Sequence, residues 1–488
     1  MRGTAVRLPE DQPSGESKVG VFSVRSHWLT GPDCRLDATF HAEDAVAARR
    51  VIEGSGFEVK ALGECVAEIF MPALTVKIPF GDQNSGVPYL TQSELFMFRP
   101  TPRKYVIARK LDNPERWSVK AGWLVMSQSG TIGIVGMVTK RVEPFVISPN
   151  PIRLVPRDDV PAGYIYALLS TRFAQALVKR SQYGVSVDHI LPQHLSPLPV
   201  PLLPHATQHA LHDQILIAYL LRDEANALLD QADELLHSQL ALPRFHESQV
   251  GYLSGDKLKA FVLKASEFAE RFDASFHLPV AKTCVTQMEK GKYALVRLGV
   301  VAKPYVAPRF RRIYVAPEHG VPFLQGSHIP LMKPHGLKYL SRRAHADLSP
   351  WLIRKGWVLV TCSGVVGRVA LAANALDGWA ASQHIERIIP TPGRCHPGYL
   401  AAFLMTAYGQ HQLTSKIYGG VVDELTEEDT AAILVPDAPM PVQERIGALV
   451  MDAFEKKEEA NKLEEAAVRQ LEGLIAPPRA ISSDVSHD

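Results

Sequence analysis

The chain contains the same succession of short motifs twice, and this repeat constrains its fold more than any other feature. Residues 35–41 read Arg-Leu-Asp-Ala-Thr-Phe-His, and residues 271–277 read Arg-Phe-Asp-Ala-Ser-Phe-His. Further motifs recur in the same order: Gly-Val-Pro begins at 86 and 320, Gly-Trp at 122 and 356, and Ser-Gly-x-x-Gly at 129 and 363. Because solenoid units span only ~20–50 residues, so long a period predicts two whole domains of one fold.

The length and composition agree with a two-domain globular protein. A chain of 488 residues exceeds the ~250–300 residues at which single cores stop growing. We find no run of ~18 apolar residues and no apolar leader, so we expect neither a membrane partner nor secretion. The five cysteines are dispersed without a Cys-x-x-Cys pair, which is typical of a reducing compartment and argues against a zinc knuckle. We therefore expect a cytoplasmic protein.

Each half shows the same order of predicted elements: a short helical entry, a β-rich body, and a long amphipathic helix after a proline break. The helices have ~34 residues and reach ~50 Å at 1.5 Å per residue. We predict an α+β fold with two similar β-rich domains in a pseudo-twofold arrangement, separated by two long antiparallel coiled-coil-like helices. Packing of each helix on its own domain is the alternative. The predicted segments are a first domain at 20–204, a first spacer helix at 205–242, a linker at 243–258, a second domain at 259–439, a second spacer helix at 440–475 and a polar tail at 476–488.

Charge is segregated along the chain although the net charge is only +2. Basic residues cluster at 99–110 and 301–345, and acidic residues cluster in the two long helices. Local basic patches favour a polyanion partner, whereas acidic helices are poor DNA ligands and suit spacing or protein docking. The alternative is a basic face whose counter-charges come from elsewhere in the fold.

Catalytic motifs are missing from the sequence. The one Pro-Pro pair, at 477–478, follows Ala476 and precedes Arg479, so it does not match the Asn/Asp-Pro-Pro-aromatic loop of amino-methyltransferases. There is no Walker lysine loop and no convincing nuclease cluster, so we expect no catalytic residues. Three hypotheses remain: a sequence-reading DNA-binding subunit, an enzyme with an unrecognised site, and a coiled-coil scaffold. The duplicated basic segments favour the first over the scaffold, and the lack of a catalytic constellation favours it over the enzyme.

Three weaker patterns have structural alternatives that we prefer. His205, His209 and His212 have a spacing that could hold a metal, but the second half does not repeat it, so we expect an exposed helical face and no metal. The Asp-Ala-x-Phe-His entries, with Asp37, His41 and their counterparts Asp273 and His277, suggest a cap or interdomain contact more than acid–base pairs. The Ser-Gly-x-x-Gly segments predict tight strand-to-strand turns rather than phosphate loops.

The duplicated arrangement resembles the specificity subunit of type I restriction–modification systems over roughly residues 20–475. The resemblance is carried by the Arg-[Leu/Phe]-Asp-Ala entry, the Gly-Trp and Ser-Gly-x-x-Gly segments at 122–133 and 356–367, the Ser148 to Arg153 and Ser382 to Arg387 stretches, and long helices that begin near a glutamine. Each motif alone is weak, and their duplicated order is more specific. The N-terminal extension and the histidine-rich start of the first helix depart from the family pattern.

The resemblance implies a function and a set of partners. In that family each half is a target recognition domain, and the paired helices hold the two domains apart over two half-sites of double-stranded DNA. The subunit recruits two DNA adenine methyltransferase subunits, and restriction or translocase subunits in the full complex, within a restriction–modification or other phage-defence system. It needs no cofactor of its own, and S-adenosylmethionine is expected in the methyltransferase.

Our predicted DNA contacts rest on charge clustering and not on the family motifs. Arginine and glutamine would specify bases, and lysine would contact phosphate. The second basic run is denser, so we expect the second domain to make more phosphate contacts. The predicted residues are Gln92, Arg99, Arg103 and Lys104 in the first half, and Arg309, Arg311, Arg312, Lys338, Arg342 and Arg343 in the second.

Overall fold

The computed structural model describes residues 43–72, 77–180, 188–245, 250, 261–265, 271–274, 276–345, 347–419 and 422–476. The helices of the first half are α1 (Glu43–Glu53), α2 (Leu62–Cys65), α3 (Gln92–Leu95), α4 (Ala162–Ser170), α5 (Arg172–Arg180), α6 (Pro192–Leu195) and α7 (His205–Gln239). Its strands are β1 (Glu58–Ala61), β2 (Val66–Phe70), β3 (Phe80–Gly81), β4 (Val87–Leu90), β5 (Lys104–Val106), β6 (Leu124–Met126), β7 (Val135–Met137), β8 (Val146–Ile147), β9 (Ile152–Pro156) and β10 (Pro199–Leu202).

The second half has a matching set of elements. Its helices are α8 (Pro279–Met288), α9 (Leu298–Val301), α10 (Pro397–Met405), α11 (Ala407–Ser415), α12 (Glu427–Ala431) and α13 (Met440–Ile475). Its strands are β11 (Leu295–Arg297), β12 (Ala302–Tyr305), β13 (Tyr314–Val315), β14 (Gly320–Leu324), β15 (Lys338–Ser341), β16 (Val358–Thr361), β17 (Val369–Leu371), β18 (Ala380–Ala381), β19 (Ile385–Pro390) and β20 (Leu434–Pro436).

The two halves have the same sheet topology. In the first half the four-stranded sheets have the orders β2-β9-β6-β7 and β3-β5-β4-β8, and β1 pairs with β10. In the second half the corresponding orders are β12-β19-β16-β17 and β13-β15-β14-β18, and β11 pairs with β20. Even the parallel pairs correspond, β4 with β8 and β14 with β18. The predicted α+β fold with two similar β-rich units is confirmed.

Each Ser-Gly-x-x-Gly segment forms a tight turn between two antiparallel strands, β6 and β7 in one half and β16 and β17 in the other. Gly133 (φ +85°) and Gly367 (φ +90°) adopt the left-handed conformation that glycine tolerates best. Their carbonyl oxygens accept hydrogen bonds of 2.8 Å from the side chains of Gln175 and Gln410. The prediction of strand-to-strand turns is confirmed. These hydrogen bonds join each turn to a helix, α5 in the first half and α11 in the second.

A buried arginine organises the loop before β9 and its counterpart before β19. Arg153 and Arg387 are both fully buried, and burial lowers their pKa values to about 9 and about 10. The Arg153 guanidinium donates to the carbonyl oxygens of Ile147, Ser148, Pro149 and Pro151. The Arg387 guanidinium donates to those of Trp351, Ala381, Ser382 and Ile385. These two arginines of the duplicated motifs therefore hold backbone in place and are not available to a ligand.

The two long helices α7 and α13 pack against each other in antiparallel orientation. Residue numbers fall along one helix as they rise along the other in the contacts Gln214–Gln470, Arg222–Glu464 and Glu224–Lys456. The α13 helix starts on its own domain, where Gly398 of α10 lies too close to the Gly447 backbone to carry a side chain, and a side chain on Gly447 would meet the His396 ring. The equivalent contact in the first half joins Gly163 to His212.

Each long helix also ends in the core of the other domain. Ala225, Leu229 and Leu236 of α7 belong to the hydrophobic core of the second domain. Ala467 and Leu471 of α13 belong to that of the first. The predicted picture of helices that only separate the domains is therefore incomplete, because their apolar faces are shared between two cores. None of the described helices combines the length and apolarity needed to cross a bilayer.

The two domains also contact each other directly, which the sequence did not predict. Met97 and Leu331 form an antiparallel bridge, flanked by hydrogen bonds from Phe98 N to Pro330 O (2.8 Å) and from Met332 N to Phe96 O (3.1 Å). Equivalent asparagines of the long helices, Asn226 and Asn461, donate to Phe98 O at 2.8 Å and to Met332 O at 3.4 Å. We call residues 96–98 and 330–332 with these two asparagines the interdomain clamp. It satisfies backbone groups that would otherwise be buried without partners.

Candidate nucleic-acid interface

The sheets β3-β5-β4-β8 and β13-β15-β14-β18, which we call the outer sheets, present equivalent lysines. Lys104 begins β5 and Lys338 begins β15, and both side chains are exposed. The Lys104 ammonium lies 4.9 Å from the centre of the Phe80 ring, and the Lys338 ammonium lies 5.0 Å from that of Tyr314. The four residues form two equivalent pairs, Lys104 with Lys338 and Phe80 with Tyr314, each separated by 234 positions in the sequence (338 − 104). An exposed cation–π contact is worth only ~0.5–1 kcal/mol, so it orients the ammonium and leaves its charge available to a phosphate.

Further predicted cations lie exposed near Lys338. Arg342 and Arg343 follow β15 directly, and Arg311 lies in the segment before β13. At the position of Arg342 the first half has Ala108, whereas Arg109 corresponds to Arg343. The second domain therefore exposes the denser group of cations, in keeping with the expectation that it makes more phosphate contacts. That expectation stays a prediction.

Arg103 is exposed and lies near a second arginine from the other domain. Arg368 follows the glycine turn of the second domain and is half-buried. Burial lowers the pKa of Arg368, and the positive charge of Arg103 lowers it further. The charges of Arg103 and Arg368 therefore repel each other across the domain boundary.

Two predicted contacts are occupied by the protein itself. The Gln92 side chain donates to Ser129 O and accepts from Gln128 N, both at 2.9 Å. The Arg99 guanidinium donates to Asp230 of α7 at 2.7 Å, and Arg141 binds the same carboxylate at 2.8 Å. Both residues would have to give up these partners to read a base. Charge clustering could not distinguish such internal pairs, and DNA contact by Gln92 or Arg99 stays a prediction that the geometry does not favour.

Arg312 is also engaged within the protein. Its guanidinium lies 5.3 Å from the centre of the buried Phe323 ring and donates to the Gln383 amide oxygen at 2.5 Å. The neighbouring Arg309 differs, since 83% of its side chain is exposed and its nearest carboxylate, Glu424, is 3.9 Å away. The structure therefore separates two predicted contacts, with Arg309 at the surface and Arg312 supporting a neighbour.

A cleft in the second domain brings several polar side chains together, and we call it the second-domain cleft. Its lining includes Arg309, Ser363, Gln383, His384, Tyr418 and Glu424. Of these, only Arg309 was predicted from the sequence, because uncharged side chains leave no charge cluster to find. One signal was present: Gln383 and His384 occupy the positions of Pro149 and Asn150 in the first half. The two halves differ at these positions, although the flanking residues match, Ser148 with Ser382 and Arg153 with Arg387.

The acidic faces of the long helices bind domain cations. Lys333 lies 3.0 Å from Glu464 and 3.6 Å from Glu465, and Lys355 lies 3.7 Å from Glu455. With the Asp230 pair described above, these contacts show that part of the basic charge is balanced within the fold. The alternative of internal counter-charges therefore holds for these residues, and the exposed cations of the outer sheets are distinct from them.

The Asp-Ala-x-Phe-His entry of the second half has a structural role. Asp273 pairs with Arg271 at 2.8 Å and accepts a hydrogen bond from Phe276 N. The Arg271 guanidinium also donates to the carbonyl oxygens of Lys416 and Ile417, so it ties the entry to the end of α11. The preference for a structural role is confirmed in this half. The counterparts Asp37 and His41 lie outside the described residues.

No metal site is found in the part of the chain that the structure describes, and two of its buried thiols are unreactive. His205 and His209 are exposed, while His212 accepts a hydrogen bond from Gly163 N at 3.0 Å. Among the described residues no group of three or more His, Cys, Asp or Glu could hold a metal. Burial raises the pKa of both the Cys362 and the Cys395 thiol to about 12, so neither is a thiolate nucleophile at neutral pH.

Comparison with known proteins gives matches in structure and none in sequence. No protein-family model and no curated protein sequence matches the chain. The fold is similar to the S subunit of a type I restriction–modification system from M. genitalium (TM-score 0.35, 10% identity, 86% of this chain and 95% of that chain). It is similar to the HsdS subunit from Thermoanaerobacter tengcongensis (0.28, 13%, 86% and 95%) and to a chain from a structure of a type I R-M system (0.27, 13%, 86% and 98%). These matches agree with the resemblance to type I specificity subunits that the duplicated motifs suggested.

Proposed function

We propose that this chain is a non-catalytic specificity subunit that reads a two-part target in duplex DNA and directs adenine N6-methyltransferase subunits to it. The observation that carries the proposal is the equivalence of the two domains. They share one sheet topology, and each presents an exposed lysine at the same place on its outer sheet. Duplex DNA offers the same grooves and phosphates at intervals of one ~34 Å helical turn, so a doubled protein matches two separated half-sites.

The chemistry of the exposed groups fits the two parts of DNA recognition. Lys104 and Lys338 on the outer sheets, together with Arg342 and Arg343, would contact phosphates and fix the register of each domain. Arg309 and the polar side chains of the second-domain cleft would contact base edges, where discrimination arises. The half-sites should differ in sequence, because the domains differ most in these segments.

The methyltransferase would dock away from the basic faces, on the long helices. Leu216, Ile217 and Leu220 of α7 are exposed to 39%, 48% and 53%, and they form a continuous apolar patch on one helix face. An exposed apolar patch rimmed by polar residues is typical of a protein interface. The corresponding α13 residues include Asp452 and Glu455, so we expect the two docking sites to differ in affinity. S-adenosylmethionine would be bound by the methyltransferase, and restriction subunits would join the same assembly.

The decisive experiment is methylome sequencing of cells that carry the methyltransferase with and without this chain. We expect one bipartite N6-methyladenine motif to disappear when the chain is deleted and to return when it is supplied again. An unchanged methylome would contradict the proposal. A scaffold would instead abolish methylation without any variant changing the motif, so substitutions at exposed basic residues separate the two hypotheses.

A further inference from the structure

The second-domain cleft contains a chain of three side chains linked by hydrogen bonds. It begins at Arg312, whose guanidinium donates to the Gln383 amide oxygen at 2.5 Å. It continues from the Gln383 amide nitrogen to the Nε2 atom of His384, at 3.1 Å. Gln383 and His384 line the cleft together with Arg309 and Tyr418, whereas Arg312 is not among the lining residues and reaches the cleft only through Gln383.

This chain determines which nitrogen of His384 carries the proton. A guanidinium has only donors, so the amide group of Gln383 must present its oxygen to Arg312 and its NH₂ to His384. The Nε2 atom of His384 is then the acceptor, and in the neutral ring the proton lies on Nδ1. Among the described residues, no group accepts a hydrogen bond from Nδ1. The histidine therefore has a single ring donor that is free of partners in the described part of the chain, on a residue that lines the cleft.

Electrostatics keep the ring neutral. Burial lowers the pKa of His384, and the charges of Arg312 and Arg309 lower it further, against a smaller opposing effect of Glu424. At neutral pH the ring is therefore in the form described above. A neutral, oriented donor discriminates between acceptor and donor groups, whereas a charged imidazolium would bind any nearby oxygen.

The acids of the cleft favour a base edge over a phosphate as its ligand. Glu424, Glu427 and Glu428 line the same cleft, and the Tyr418 hydroxyl donates to Glu424 at 3.2 Å. Carboxylates repel a phosphate but accept hydrogen bonds from the amino groups of bases. The cleft thus combines a histidine donor, the exposed arginine at position 309 and a carboxylate acceptor, which together match a neutral base pair.

We propose that His384 is a specificity-determining residue of the second domain, whose Nδ1–H donates to an acceptor on a base edge of the second half-site. The acceptor would be a purine N7 or a keto oxygen. Gln383 and Arg312 are positioning residues that orient the imidazole. This inference rests on the proposed function and adds the residue and the polarity of one contact. The first domain has Pro149 and Asn150 at the corresponding positions, so it lacks this device.

Methylome sequencing of three variants tests the inference. His384→Ala removes the donor, Gln383→Leu keeps the imidazole but releases its orientation, and His205→Ala replaces an exposed histidine of α7 as the control. We expect His384→Ala to accept other bases at one position of the second half-site, with discrimination reduced roughly tenfold or more. Gln383→Leu should relax the same position by a smaller factor. The first half-site should remain unchanged in both, and His205→Ala should methylate the wild-type motif.

The outcomes separate the inference from the proposed function. If the wild type methylates a bipartite motif and both cleft variants methylate the same motif, His384 is not a reader and the inference is overturned. If the wild type produces no bipartite motif, the proposed function fails first. If His384→Ala loses all methylation and has a lowered melting temperature, its loss reflects misfolding. The motifs methylated by Gln383→Leu and His384→Asn then test the inference. Asparagine places an NH₂ donor near the Nδ1 position. The inference is contradicted if Gln383→Leu methylates the wild-type motif alone and His384→Asn gives no methylation.

Discussion

Glu386 shows how a single side chain in one half can depart from its repeat. It is fully buried in β19 and accepts a hydrogen bond from the Thr430 hydroxyl at 2.7 Å. Burial raises its pKa to about 8, so the carboxyl is protonated in the folded protein at neutral pH. The corresponding residue of the first half is Ile152. The site therefore accommodates a neutral group, and the charge appears only at higher pH.

This pKa predicts a pH dependence of stability. An unfolded glutamate loses its proton near pH ~4.3, whereas folded Glu386 keeps it until about pH 8. Between these values the folded state binds more protons than the unfolded state, so stability falls as pH rises. We expect Glu386→Gln to raise the melting temperature at pH 8 and to change it little at pH 4.5. Thermal unfolding at both pH values measures this, and an equal effect at the two would contradict it.

The equivalent lysines of the outer sheets give a second prediction at the residue scale. If Lys104 and Lys338 each neutralise one phosphate, the variants Lys104→Gln and Lys338→Gln should bind duplex DNA more weakly and each reduce the slope of log K against log salt by ~1. The methylated motif should stay the same, because phosphate contacts carry no base information. Salt titrations of the assembled complex provide the measurement, and Lys60→Gln, an exposed lysine of β1 beside Glu58, is the control.

At the scale of elements, a buried ion pair joins the two long helices. Arg222 of α7 and Glu464 of α13 lie 2.6 Å apart and are almost completely buried. Burial disfavours both charges, but the attraction of the Glu464 carboxylate is stronger than this effect and raises the pKa of Arg222. Arg222 and Lys333 likewise lower the pKa of Glu464 to about 2 despite its burial. At the position of Arg222 the second half has Lys457 (457 − 222 = 235), which contacts the Phe98 ring at 4.6 Å.

Removing one partner of this pair should therefore destabilise the helices strongly. Arg222→Met leaves Glu464 with Lys333 alone and should cost about 3 kcal/mol, near the lower end of values for broken buried pairs. The double variant Arg222→Met, Glu464→Met should recover much of that loss, because no buried charge is left unpaired. Lys456→Met, which breaks the more exposed Lys456–Glu224 pair, should cost less than ~1 kcal/mol. Denaturant unfolding gives these values, and equal losses for the three would rule out this account.

At the scale of the whole molecule, the interdomain clamp and the paired helices together set how the two domains are placed. Asn226 and Asn461 each hold the clamp strand of one domain against a long helix. We expect the double variant Asn226→Ala, Asn461→Ala to keep both half-site sequences and to methylate targets whose spacer differs by one base pair. Methylome sequencing measures the spacer distribution. Gln214→Ala, which removes an exposed contact between the helices, should retain a single spacer length, and an unchanged spacer in the double variant would assign the spacing to the helices alone.

The duplication made the domain number and the shared topology predictable, because equal motif orders fold into equal sheets. The turns after residues 129 and 363 were predictable as well, since glycine spacing reports local backbone conformation. Long-range pairing was not predictable. Nothing in the residues around Met97 and Leu331 signals their bridge, and the sequence alone does not show that Arg99 faces Asp230. Clustered charge identifies a basic segment but not the partner of each cation, so the uncharged residues Gln383 and His384 were missed altogether.

The crossing of the long helices between the two cores has a consequence for synthesis. The core of the first domain includes Ala467, Leu471 and Ile475, which leave the ribosome several hundred residues after its strands do. Domains usually fold as units while translation proceeds. In this protein the core of the first domain is incomplete, with part of its apolar surface uncovered, until α13 has been synthesised.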